Sequence, residues 1–256
     1  MELDQGKYFR PLKKFYDYEG KINNPFEVAL VNPVSERAVK EVQNYLENQS
    51  WDHNFGLDSK QEGMVIGKMF GILIVKTEHD ELGYLAAFSG KCANKNHLDF
   101  FVPPVFDMLV DGNFFEKEEK VINVLNDEIF QLEKNVSDHQ TEIKTLKAIR
   151  KSKSHQLQQR LFESYKFLNK RGESKSLLSI FKEVGGGKPP AGAGECAGPK
   201  LLQMAFQNNW EPLYITEFWW GASPKAQLRE HKAFYPACEE KCRPILTYML
   251  EPNNEL

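Results

Sequence analysis

Apolar positions recur at two periods along the chain, and each period predicts a different kind of element. Val39, Val42 and Leu46 stand three and four apart behind Pro33-Val34-Ser35-Glu36, the pattern of an amphipathic helix that opens on a proline and stops near Gln49. Met64 to Lys76 and Leu82 to Phe88 are rich in β-branched and apolar residues on either side of His79-Asp80-Glu81, which predicts a β-hairpin. Phe26 to Val31 reads as a further short strand. Gly90 to Pro104 reads as a loop, because Pro103-Pro104 cannot sit inside a sheet. Before all of these, Tyr8, Phe9, Lys13, Lys14, Phe15, Tyr16 and Tyr18 show no period; stacking on bases and ordinary packing both fit them, and packing is the commoner fate of a terminal segment.

From Phe114 to Asn169, behind the capping string Asp111-Gly112-Asn113, there is neither proline nor glycine. Ile122, Leu125, Ile129, Leu132, Val136, His139, Ile143 and Leu146 alternate three and four apart as a heptad seam. One straight helix of that length would span on the order of 80 Å, more than the width of a small domain. Asn135, Ser137 and Asp138 offer a fold-back point, yet the heptad register runs through them, so a single arm and a hairpin both remain open. The charge decides what each would mean. Glu116, Glu118, Glu119, Asp127, Glu128 and Glu133 come first; Lys144, Lys147, Arg150, Lys151, Lys153 and Arg160 follow. A hairpin neutralises the two halves against each other, whereas an extended arm exposes a phosphate-binding surface.

Past Gly172, Ser176 to Val184 predicts a short helix. A glycine-rich loop, Gly185 to Gly194, then feeds a second helix that begins near Pro199. Pro212 to Trp220 is a strand by composition, with Tyr214, Thr216, Phe218 and Trp220 on one face and Glu217 and Trp219 on the other. The fold class expected is α+β, with mixed or antiparallel small sheets and a long coiled-coil-like helical arm inserted between them. The divisions are an N-terminal α+β part at 1–112, the arm at 113–172, and a C-terminal α+β part at 173–256 that packs with the N-terminal part.

Composition narrows the class. Hydrophobic residues make up 41% and charged residues 27%, as in a globular protein, and no apolar run is long enough to cross a bilayer. The first residues lack the apolar core of a secretory signal, so a cytoplasmic location is expected. Four cysteines are too few for a disulfide scaffold, which leaves them as thiols, ligands or nucleophiles. A net charge of −3 exerts no global pull on nucleic acid, so any such binding needs a local basic face.

Three constellations can carry chemistry. Cys196 stands at a predicted helix start, where free amides lower a thiol pKa. With Glu195, Glu217 and His231 it supplies the residue types of a nucleophile, a base and an orienting carboxylate. A small buried hydrophobe is the competing reading of Cys196. Cys238-Glu-Glu-Lys-Cys242 has the spacing of half a zinc site, which His231 or Cys196 would complete; no other cofactor is expected. The third is a basic and aromatic surface, with Lys151, Lys153 and Arg160 on the arm and Lys200, Trp219, Lys225 and Arg229 around the Trp-Trp dipeptide, suited to phosphates and stacked bases.

Several long strings resemble a known family. They are Pro189-Pro-Ala-Gly-Ala-Gly-Glu-Cys-Ala-Gly-Pro-Lys-Leu-Leu202, Glu217-Phe-Trp-Trp-Gly-Ala-Ser-Pro-Lys225, Phe234-Tyr-Pro-Ala-Cys238 with Cys242 and Ile245-Leu246, and, upstream, Gly67 to Gly71, Gly83 to Gly90, Phe101 to Phe106 and Leu157 to Asn169. Together they cover most of the chain and resemble the amino-terminal region of bacterial A-type RNA pseudouridine synthases, which modify large-subunit ribosomal RNA and transfer RNA. The resemblance implies a cytoplasmic RNA-binding accessory region of an isomerase, acting in tRNA or rRNA processing with a catalytic domain. That domain carries a His-Arg-Leu-Asp-x-x-Thr-Ser-Gly motif, absent here; the nearest string, His97-Leu98-Asp99-Phe100, lacks the arginine and the Thr-Ser-Gly, so Asp99 is not assigned the catalytic role. Two other functions compete: a stand-alone thiol-dependent enzyme built on Cys196, and a dimerisation module in which the arm faces a second chain through Ile122, Leu125, Ile129 and Leu132.

Overall fold

The structure, a computed structural model, describes residues 6–12, 22–29, 32–110, 114–185, 187–225 and 227–250. Strand β1 is the short pair Arg10–Pro11. Helix α1, Pro33–Asn48, starts where the Asn32 side chain accepts the amides of Val34 (3.0 Å) and Ser35 (2.8 Å) while the Ser35 hydroxyl takes the Asn32 amide, a reciprocal cap that fixes the first turn. β2 (Lys68–Lys76) and β3 (Leu82–Phe88) form the expected antiparallel hairpin.

Helix α2 (Phe114–Leu132) runs into a 3-10 turn at Glu133–Asn135 and then α3 (Val136–Ser164), which leaves helical geometry at His139 (φ −123°, ψ 16°). Two short strands, β4 (Lys166–Leu168) and β5 (Ser174–Ser176), precede α4 (Leu177–Glu183), α5 (Ala197–Gln207), β6 (Glu211–Trp220), β7 (Phe234–Tyr235) and α6 (Glu239–Leu250). The strand expected at Phe26 to Val31 is not formed at Phe26–Ala29, where the chain makes turns and bends; positions 30–31 lie outside the described residues, as do Lys13, Lys14, Phe15, Tyr16 and Tyr18 and the capping string 111–113.

The architecture is α+β. All pairings in the main sheet are antiparallel, in the order β1-β3-β2-β6-β7, so β6 and β7 from after the helical arm join the strands that precede it, while β4 and β5 form a separate antiparallel pair. The joint is β2 against β6, from Lys68 opposite Trp220 to Lys76 opposite Glu211, with a bulge at Ile74/Val75. Both faces of this sheet are covered. Phe70, Ile72, Ile74, Tyr84, Phe88, Phe218 and Trp220 face α1, whose Ala38 and Val42 are fully buried. Leu73, Val75, Leu85, Ala87 and Ile215 face α5. α5 is buried at every residue from Ala197 to Ala205, because the main sheet covers one side of it and α6 and β4 cover the rest.

The arm is a hairpin. Glu118 pairs with Arg160, Asn126 with Arg150 and Glu133 with Lys147, partners that close on the turn step by step as only antiparallel helices allow. Ile129, Ile143 and Leu157 are buried between the helices and Ile122, Leu125 and Leu132 are half-buried, so the seam proposed to face a second chain is covered by α3 of the same chain. Val136 belongs to the side chains outside the described residues. At the base, Asn169 is fully buried and folds the β4–β5 turn around itself, accepting the amides of Arg171 (2.9 Å) and Glu173 (3.0 Å).

Cys92, fully buried against the α1 face, gives this core a pH signature. Burial pushes its thiol up to about 11, with Lys68 and the Ala93 amide opposing. The unfolded thiol ionises near 9.0, so between about pH 9 and 11 the unfolded chain holds fewer protons than the folded one and stability falls as pH rises. The expected loss over that window is about 2 to 3 kcal/mol, at 1.36 kcal/mol per unit. Urea titrations at pH 8 and pH 11 should show it, and Cys92→Ala should shrink the difference; an unchanged difference in the variant would assign the alkaline loss to other groups.

Candidate functional site

The glycine-rich loop delivers Cys196 to the start of α5. Gly192 and Gly194 both have positive φ (75° and 89°), and a Cβ at Gly194 would stand 3.0 Å from the Tyr165 ring and 3.1 Å from that of Phe167, so only glycine lets this turn press against the hairpin base. The turn is tied to β3 by the Gly90 amide, which donates to the Glu195 carbonyl at 2.8 Å. Cys196 is the N-cap of α5, but its sulfur makes no capping bond. It faces two other sulfurs instead. Cys238 and Cys242 sit four residues apart at the start of α6, their sulfurs 3.4 Å from each other, and the three sulfurs all lie within 4.8 Å of one another. Cys238 is exposed, Cys242 is buried, and Cys196 lies between these extremes.

This proximity orders the ionisation of the group. Contact with the Cys196 and Cys242 sulfurs holds the Cys238 thiol well below its ordinary range, against its partial burial. The partnership with Cys238 pushes Cys196 up, and Cys242 is pushed up by Cys196 and Cys238. The helix start does not by itself lower the Cys196 thiol, because contact with Cys238 and burial both act to raise it.

Glu217 lies under the first turn of α5. Its Oε1 accepts the Gly198 amide at 2.9 Å, and burial pushes the carboxyl up to about 7 against that bond. A small hollow beside it is bordered by Pro25, Thr216, Tyr235 and Ala237. Glu195 turns the other way, with Oε2 4.0 Å from the Lys200 ammonium and Oε1 buried without a hydrogen-bond partner. Burial raises the Glu195 pKa and lowers that of Lys200, while each opposes the shift of the other.

His231 does not join this site. Its Nδ1 accepts the Gly221 amide at 3.1 Å, and its ring packs edge-on against Trp220 with centroids 4.4 Å apart. Trp220 belongs to the α1 face of the sheet, whereas Glu217 points to the α5 face, because adjacent strand positions alternate. Neither the role of base to Cys196 nor that of ligand beside Cys238 and Cys242 fits His231; Cys196 is the thiol that stands with that pair.

The residues read as an RNA surface are dispersed. Lys200 is 2% exposed, and its ammonium donates to the carbonyls of Phe88 (3.0 Å) and Gly90 (3.3 Å), so it is an interior tie and not a surface cation. Trp219 is half-buried, with its ring against Gly67 and its Nε1 donating to the Ala222 carbonyl at 3.1 Å. Arg229 lies over the Tyr235 ring, and Lys225 is exposed. On the arm, Arg160 pairs with Glu118 and stacks on Phe114. Lys151 and Lys153 are exposed with no acidic partner among the described residues, as is Lys144. Lys144, counted in the basic half of the arm but not among the candidate RNA contacts, stands seven before Lys151 and so shares its helix face.

Among the described residues, no helix is long and apolar enough to cross a membrane. No family model, curated protein or solved structure matches the chain.

Proposed function

We propose that this chain is an RNA-binding accessory region that serves a pseudouridine synthase domain acting on transfer or ribosomal RNA. The observation that carries the reading is the charge left on the hairpin after its internal pairing. The acidic residues of α2 and the turn neutralise Arg160 and Lys147, yet Lys144, Lys151 and Lys153 project from α3 with no acidic partner among the described residues. Cations fixed on a helix that stands out from the sheet fit the spaced phosphates of a structured RNA. The motif strings around Glu195, Trp219 and Cys238 add the resemblance to the synthases. Isomerisation itself is assigned to the partner domain: Asp99 is 95% exposed and paired with Lys7, far from the enclosed cleft that attack on a flipped uridine needs.

The test is a binding series with transfer RNA at rising salt. Affinity should fall steeply with salt, and Lys151→Glu combined with Lys153→Glu should weaken binding by about tenfold or more and flatten the log–log salt slope by about 2. Both side chains are exposed, so the variant should keep its circular dichroism and melting temperature. Binding that ignores salt, or that the double variant leaves unchanged, removes the proposal.

A further inference from the structure

We propose that Cys196, Cys238 and Cys242 bind one thiophilic divalent ion, with zinc the best fit. The inference is independent of the RNA reading. A zinc–sulfur bond of about 2.3 Å with tetrahedral angles separates the sulfurs by about 3.8 Å. Here Cys238 and Cys242 are 3.4 Å apart and all three sulfurs lie within 4.8 Å, so an ion can enter with small side-chain shifts. The three come from two helix starts brought together from distant parts of the chain. Neither start depends on the sulfurs for its position. α5 is set by the Gly194 turn and by the Gly198 amide on Glu217; α6 is set by the Ala237 amide on the Pro25 carbonyl at 2.8 Å and by the Cys242 amide on the Cys238 carbonyl at 3.2 Å. A preformed cluster of this kind lowers the ordering cost of binding.

The chemistry of the donor set selects the ion. An all-sulfur site favours soft or borderline ions over magnesium and calcium, which require oxygen. Binding would displace a proton from each thiol that is not already ionised, leaving three thiolates around the cation. No histidine, aspartate, glutamate or further cysteine completes the group among the described residues, which leaves the fourth corner to water or another donor from solution. Glu217, buried under the same helix start, then stands as a nearby anion that the added cation would favour in its charged form.

The experiment uses the whole chain, purified under reducing, oxygen-free conditions, with metal content measured by mass spectrometry and cobalt(II) titrated into the metal-free protein. One ion per chain and the intense visible absorption of a tetrahedral cobalt–thiolate centre are expected. Cys238→Ser removes an exposed ligand, so that variant should fold and lose more than about 100-fold in affinity, beyond the usual 10- to 100-fold effect of altering a residue behind a ligand. Cys196→Ser should do the same, whereas Cys92→Ser, which lies in the other core, should bind as the parent does. A folded protein that takes up no stoichiometric metal, a Cys238→Ser variant with undiminished cobalt binding, or a Cys238–Cys242 disulfide in place of metal after reducing purification would each overturn the proposal.

Discussion

Replacing Phe70 by alanine should destabilise the protein by about 3 to 5 kcal/mol and lower its melting temperature by about 10 °C. Phe70 is fully buried on β2, and its ring lies 5.5 Å from Phe101, 6.0 Å from Phe218, 6.2 Å from Phe55 and 6.4 Å from Phe88. These rings come from the two central strands, the β3 edge of the hairpin and two separate loops, so no single movement refills the space. The loss combines the transfer free energy of the ring with the cavity left behind. Phe70→Leu, which keeps most of the volume, should cost about 1 kcal/mol. Urea unfolding of both variants is the check; near-equal losses would mean that the aromatic cluster does not hold this face together.

Gly71→Val tests the opposite face from the next position on the same strand, and it should cost about 3 kcal/mol. A Cβ at Gly71 would meet the Ala197 Cβ at 2.8 Å and Leu201 Cδ1 at 3.0 Å, with Glu217 Cγ 3.5 Å away. The backbone at Gly71 is not left-handed, so the penalty is overpacking and not strain in φ. To relieve it, the first turn of α5 must lift from the sheet, and Cys196 lifts with it. The variant should therefore lose stability and also expose Cys196 to thiol reagents, although no cysteine has been changed. Labelling of Cys196 at the parent's rate in the folded variant would show that the helix start does not depend on this seat. Together the two substitutions ask whether the sheet is the common floor of both cores.

Much of this arrangement was legible in the chain because local pattern and tertiary outcome agree. The α1 stripe, the β2–β3 hairpin and the alternation along β6 were all readable, since a strand buried on both faces between well-marked turns leaves little choice of element. Other elements lacked such a signal. β1, β4, β5 and β7 are two or three residues long, too short for any period to register. α6 carries helical spacing at Cys242, Ile245, Leu246 and Met249, but Pro244 among them masks the signal in the sequence; the helix runs through the proline nonetheless. The strand read at Phe26 to Val31 shows the reverse error: the segment lies beside β6, but the Asn23 side chain takes the Ile215 backbone groups and Phe26–Ala29 form no ladder.

At the candidate site the division is sharper. That Cys196 stands at a helix start was legible in the sequence, and the Cys238/Cys242 spacing marked a ligand pair, but the helix that puts those two on one face was not. Which third residue joins the pair depended on the sheet: adjacent positions on β6 point to opposite faces, sending Glu217 under α5 and Trp220, with His231, to the side of α1. The arm shows the same limit, since its heptad pattern is equally satisfied by a second chain and by its own returning half. The sequence by itself determined the local periods, the turns and the residue chemistry, because these arise from neighbours within a few positions. Only the tertiary structure decided which thiols meet and which cations stay unpaired, because those outcomes depend on contacts between segments tens of residues apart, whose closure no local pattern encodes.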